Sequence, residues 1–97
     1  MNRAEAIKAL ESLGENADEV AQSLKDKGIK GVRLHSCECP LAKLIGGYVA
    51  HRGAFVFGKE ACFELPRACR EFIAAFDRGA YPEIACAPAQ HVRYVWA

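Results

Sequence analysis

The chain has 97 residues, 52% of them apolar and 26% charged. That length and composition predict one small globular domain, 1–97, and exclude a disordered segment. A net charge of +1 makes the chain not globally basic. Its apolar runs all fall short of the ~20 residues that span a bilayer. The opening MNRAEAIKAL mixes acidic residues into its apolar ones, so it does not read as a signal peptide, and a cytoplasmic protein is expected.

Two helices are predicted first. Asn2 followed by Glu5 has the spacing of a capping box, with Asn in the role usually taken by Ser or Thr. Ile7, Leu10 and Leu13 then form an apolar stripe, and Gly14 supplies the stop. The N-x-x-E pattern recurs at Asn16 and Glu19, with a stripe of Ala17, Val20, Ala21 and Leu24. Lys25 and Lys27 suit the negative end of this second helix, and Gly28 ends it. Only Glu15 lies between the first stop and the second cap, which predicts a tight helical corner.

GIKGVRLHSCE reads as an irregular connector with a short extended piece at Val32–Leu34. Pro40 suits the first position of a third helix, where its missing N–H costs nothing. Leu41, Leu44, Ile45, Tyr48 and Val49 continue a helical stripe. Gly46-Gly47 interrupts it at about 1 kcal/mol per glycine relative to alanine. Either a neighbour packs tightly there, or the helix stops and a strand begins near Tyr48.

AFVFGKEACFEL predicts a β-hairpin turning near Gly58-Lys59, with Phe55 and Phe57 on one face and Phe63 and Leu65 on another that pairs with it. Pro66 opens a fourth helix with the stripe Cys69, Phe72, Ile73 and Phe76, stopped by Gly79. YPEIACAPAQ is a connector, and HVRYVW alternates as a final strand or a docked tail. The fold class is α+β: a small, mostly helical domain of about four helices with one hairpin and a C-terminal strand.

CPLA at Cys39–Ala42, ELP at Glu64–Pro66 and FDRGAYPEI at Phe76–Ile84, in this order and spacing, resemble motifs of a group of small uncharacterised proteins. These occur in actinobacteria such as Streptomyces and in actinobacteriophages. The likeness spans roughly residues 17–84. It implies an origin and a compartment and transfers no functional residue.

HSCECPLAKL, residues 35–44, concentrates the chemistry. In its plainest reading Cys39 caps the third helix, its sulfur or Ser36 meeting free N–H groups, since unligated cysteine is commonly a small buried hydrophobe. A zinc reading would draw on His35, Cys37, Cys39 and His51. Zinc knuckles favour C-x₂₋₄-C, and this C-x-C has no second ligand pair to complete it. A reactive thiol beside His35 or His51 would need an orienting third group that the sequence does not mark. The five cysteines, at 37, 39, 62, 69 and 86, have no disulfide-framework spacing and are expected as thiols. No cofactor is called for.

Two binding readings remain. Residues 30–53 hold four basic residues against one acidic one. Lys25, Lys27, Lys30, Arg33 and Lys43 would meet phosphates if the first three helices and the hairpin formed a winged helix-turn-helix. The other reading is a protein-interaction module or homodimer, with Tyr81, Tyr94 and Trp96 as contact residues, because Trp and Tyr are over-represented in hot spots. The sequence holds no phosphate loop, carboxylate pair of defined geometry or dinucleotide fingerprint. The expectation is therefore a non-enzymatic cytoplasmic protein of an actinobacterium or its phage that binds a host or phage protein, with DNA second and a small zinc module third.

Overall fold

The first helix, α1 (Arg3–Glu11), begins at a complete capping box. Asn2 Oδ1 accepts from the Glu5 N–H at 2.8 Å, and the Glu5 carboxylate accepts from the Asn2 N–H at 2.9 Å. The second helix, α2 (Ala17–Asp26), makes half of one: Asn16 Oδ1 accepts from the Glu19 N–H at 2.9 Å. Glu19 itself reaches one residue further back, to the Glu15 N–H at 2.8 Å. That reach fixes the corner. A Cβ on Gly14, where φ is 152°, would run into the Glu19 side chain. The Ser23 hydroxyl closes the corner from the far side by donating to the Leu13 carbonyl at 2.6 Å.

The computed structural model describes residues 1–51, 53–58 and 62–86. The expected C-terminal strand HVRYVW lies outside these. Within them, four helices and a two-stranded antiparallel hairpin make an α+β fold. After α2 come α3 (Pro40–Ile45), β1 (Gly47–Ala50), β2 (Gly53–Val56), α4 (Arg67–Asp77) and a short 3-10 turn at Pro82–Ile84. No helix among the described residues is long and apolar enough to cross a membrane.

The glycine pair is resolved in favour of the strand. Helix α3 stops at Ile45, Gly46 takes the left-handed cap conformation at φ 68°, and β1 starts at Gly47. Gly47 also permits close approach, since a Cβ there would collide with the Phe55 carbonyl oxygen. The hairpin is therefore shifted from its expected position. It pairs Gly47–Ala50 with Gly53–Val56 and turns between Ala50 and Gly53; of the expected turn, Lys59 lies outside the described residues. Of the expected pairing with the Phe63–Leu65 arm, the described residues show one antiparallel bridge, Ala54 to Phe63. Tyr48 and Val49 fit a helical stripe and a strand alternation equally well, and only pairing with residues 54–55 decides between them.

The core gathers the helical stripes. Helix α2 packs on α4, and α1 packs on α3 and β2. Leu10, Leu24, Leu41, Phe72 and Phe76 have no exposed surface. Phe72 stacks on Phe76 with centroids 5.4 Å apart, and the Cys69 thiol donates to the Leu10 carbonyl at 3.6 Å. Burial pushes that thiol up to about 12. Pro66 opens α4 as expected, from the cap position.

The connector is not extended at Val32–Leu34. Its extended contact is at Gly31, which bridges in parallel to Ala85: Gly31 donates to the Ile84 carbonyl at 3.0 Å and accepts from the Cys86 N–H at 2.7 Å. Residues 33–38 instead form a closed turn, with Val32 N–H donating to Glu38 O and Cys39 N–H to His35 O, both at 2.9 Å.

Candidate functional site

This turn, the hairpin and α4 enclose a half-open cleft of about 200 Å³. The turn contributes Leu34, His35, Ser36 and Cys39; the hairpin contributes Val49, Ala50 and His51; α4 contributes Ile73 and Asp77. Three polar contacts hold the walls in place. Val49 N–H donates to the Ser36 carbonyl at 2.9 Å, joining the hairpin to the turn. Leu34 N–H donates to Asp77 Oδ1 at 2.9 Å, joining the turn to α4. His51 Nε2 lies 3.6 Å from Asp77 Oδ2, joining the hairpin tip to α4.

Asp77 is thus the point where all three walls meet. Leu34 pays for its share of that contact in backbone strain: its φ is 59°. The left-handed region costs a non-glycine residue roughly 1–2 kcal/mol. The Leu34 side chain gains nothing by burial there, being 76% exposed.

Cys39 sits on the floor of the cleft. Its sulfur accepts from the Ala42 N–H at 3.4 Å, so it is the cap of α3. Burial raises its pKa, and the Ala42 and Leu41 N–H groups only partly oppose that effect. A raised pKa keeps the sulfur as thiol, the weaker nucleophile. Cys37, two residues earlier, is exposed. His35 turns away to Glu38, 3.2 Å from its carboxylate. Of the four residues of the zinc reading, Cys39, His35 and His51 thus have different partners and Cys37 is exposed. Among the described residues, no three His, Cys, Asp or Glu side chains gather as a metal-binding group.

The five basic residues of the DNA reading, Lys25, Lys27, Lys30, Arg33 and Lys43, are all exposed. The helix meant to enter a groove is another matter. Helix α3 is six residues long and buries Pro40, Leu41, Ala42 and Ile45, leaving Lys43 as its exposed polar side chain. Of the three aromatic contact residues, Tyr81 is turned inward. Its ring stacks on Phe72 at 5.4 Å and its hydroxyl donates to Asp18 Oδ1 at 2.7 Å. Burial, then the Asp18 carboxylate, push the phenol up to about 12. Tyr94 and Trp96 lie outside the described residues.

A second surface carries aromatics the reading by sequence did not join. Val49, Ala54 and Val56 face the core from the hairpin, while Tyr48, Phe55 and Phe57 face outward. Tyr48 stacks on its cross-strand partner Phe55 at 5.2 Å, and Phe55 meets Phe57 edge-on at 6.1 Å. Phe57 is 54% exposed. The shared face of Phe55 and Phe57 was legible from alternation; Tyr48 was not, because it also fits the α3 stripe. Comparison with protein-family models, curated proteins and solved structures finds no match for this chain.

Proposed function

We propose that this chain is a small non-enzymatic protein that acts by binding another protein through the outer face of its hairpin. The observation that supports this most is the continuous row Tyr48–Phe55–Phe57 held on the solvent side of a two-stranded sheet. Aromatic side chains of this kind are enriched at interface cores, and they bring large contact area with little rotamer entropy to lose. In this reading the protein is encoded by an actinobacterium or its phage and works in the bacterial cytoplasm, on a host or phage protein or on a second copy of itself.

The test is capture from an actinobacterial lysate with wild type and with the Phe55→Ser/Phe57→Ser variant, alongside sedimentation of both. The reading expects captured protein, or a dimer mass, that the variant loses while keeping its helical circular dichroism. Equal capture and equal mass in both would sink it. A DNA-binding reading rests on the five exposed basic residues; a salt-sensitive mobility shift abolished by reversing Lys27, Lys30 and Arg33 to Glu would favour it instead.

A further inference from the structure

We infer that the cleft between the Leu34–Cys39 turn, the hairpin and α4 binds a cation carried on a short apolar stem, with Asp77 as its anchor. The inference stands apart from the aromatic face and does not rest on it.

Size comes first. A closed apolar cavity of ~150 Å³ accepts a benzene ring. The cleft, at about 200 Å³ and open on one side, has room for a stem of similar bulk with its head group. The walls suit such a stem, because Leu34, Val49 and Ile73 line it with hydrocarbon.

The anchor comes next. The Asp77 side chain is only 16% exposed, and a carboxylate so placed calls for a charged or hydrogen-bonding partner. An ionised carboxylate has about four acceptor sites. Here one oxygen takes the Leu34 N–H at 2.9 Å. Among the described residues the other has only His51, at 3.6 Å, beyond the ~2.7–2.9 Å of a charge-assisted hydrogen bond. The His51 side chain is 63% exposed, so it can swing outward and give up its place. Asp77 is therefore pinned firmly from the backbone side and loosely from the cleft side.

Charge selects the ligand's sign. Asp77 is the acidic side chain lining the cleft, and Glu38 stands behind His35 at the rim. An anion would meet Asp77 directly, whereas an ammonium or guanidinium would complete its coordination. The strained, exposed Leu34 at the mouth is consistent with this, since left-handed non-glycine residues recur at ligand clamps.

The same chemistry has two sources, a free small amine or the lysine side chain of a protein. The experiment is a ¹H–¹⁵N NMR titration with n-butylammonium, with N-acetyl-lysine methylamide, and with 1-butanol as the uncharged control. Butylammonium is expected to shift the Leu34, Ala50 and His51 amides saturably in the millimolar range. Butanol should bind at least about ten-fold more weakly, the worth of one charged hydrogen bond. Asp77→Asn keeps an oxygen for the Leu34 N–H and should lose butylammonium binding by a similar factor. Ala50→Val narrows the mouth, leaves the carboxylate intact and should also weaken it. Comparable binding of the blocked lysine assigns the cleft to a protein side chain; binding of butylammonium alone assigns it to a small amine. Equal shifts with butanol, undiminished binding in Asp77→Asn, or no saturation with either amine would overturn the inference. The aromatic-face reading would survive that failure.

Discussion

The helical half of the molecule and its turn-and-hairpin half obey different rules. In α1, α2 and α4 the large apolar side chains point at one another, and the entries of α1 and α2 are each capped by an asparagine side chain. In the turn and hairpin, Leu34 is left-handed and exposed and Phe57 is exposed, and where they meet the end of α4 the Asp77 carboxylate has, among the described residues, one short hydrogen bond, from the Leu34 N–H. The helices bury their apolar stripes against one another. The other half holds groups that packing alone leaves unexplained, and strain together with exposed apolar surface is what a binding region retains.

The widest gap between the halves is expected from two phenylalanines. Phe72→Ala, at the centre of the stacked core, should cost about 3–5 kcal/mol. Phe57→Ser on the outer face should change stability by no more than ~0.5 kcal/mol. Urea denaturation of both variants checks this; similar losses would erase the distinction between the faces.

Alkaline pH should also act on the helical half. The Tyr81 phenol is raised from 10.0 to about 12 in the folded chain. Its contribution to stability is thus complete below pH 10 and lost as pH rises from 10 through 12. The buried Cys69 thiol, raised from 9.0 to about 12, works in the same direction from pH 9 upward. Thermal melts between about pH 9 and 12 should fall for wild type and fall less above about pH 10 for Tyr81→Phe. Parallel falls would remove Tyr81 from the account.

The cap at the corner offers a smaller effect. Asn16→Ala should cost ~1 kcal/mol, because the Glu19 N–H loses its acceptor. A chemical melt indistinguishable from wild type would show that the Glu15–Glu19 bond holds the corner alone.

The smallest effect has the opposite sign. Leu34→Gly relieves a left-handed residue, worth ~1–2 kcal/mol, against ~0.5–1 kcal/mol of added chain entropy. The net is a gain between about zero and about 1.5 kcal/mol in the same melt. A loss would mean that the Leu34 side chain supports the turn in a way its 76% exposure does not suggest.

Local rules were enough for the helices. Asn caps, apolar stripes and glycine stops bracketed α1, α2 and α4 to within a few residues, because capping and 3.6-residue periodicity are properties of adjacent residues. The cap role of Cys39 was legible for the same reason, since Pro40 follows it. Phe55 and Phe57 announced a shared face by alternation. What the sequence could not decide was every contact between distant segments. Tyr48 became a strand residue only because Phe55 pairs with it. Gly31 found Ala85, and Tyr81 turned inward to Phe72 and Asp18. Asp77 reads along the chain as the last residue of a helix; it is the cleft's anchor because Leu34, 43 positions earlier, folds back onto it. Pairings of that range are chosen by the packing of the whole chain, and no periodicity or motif encodes them.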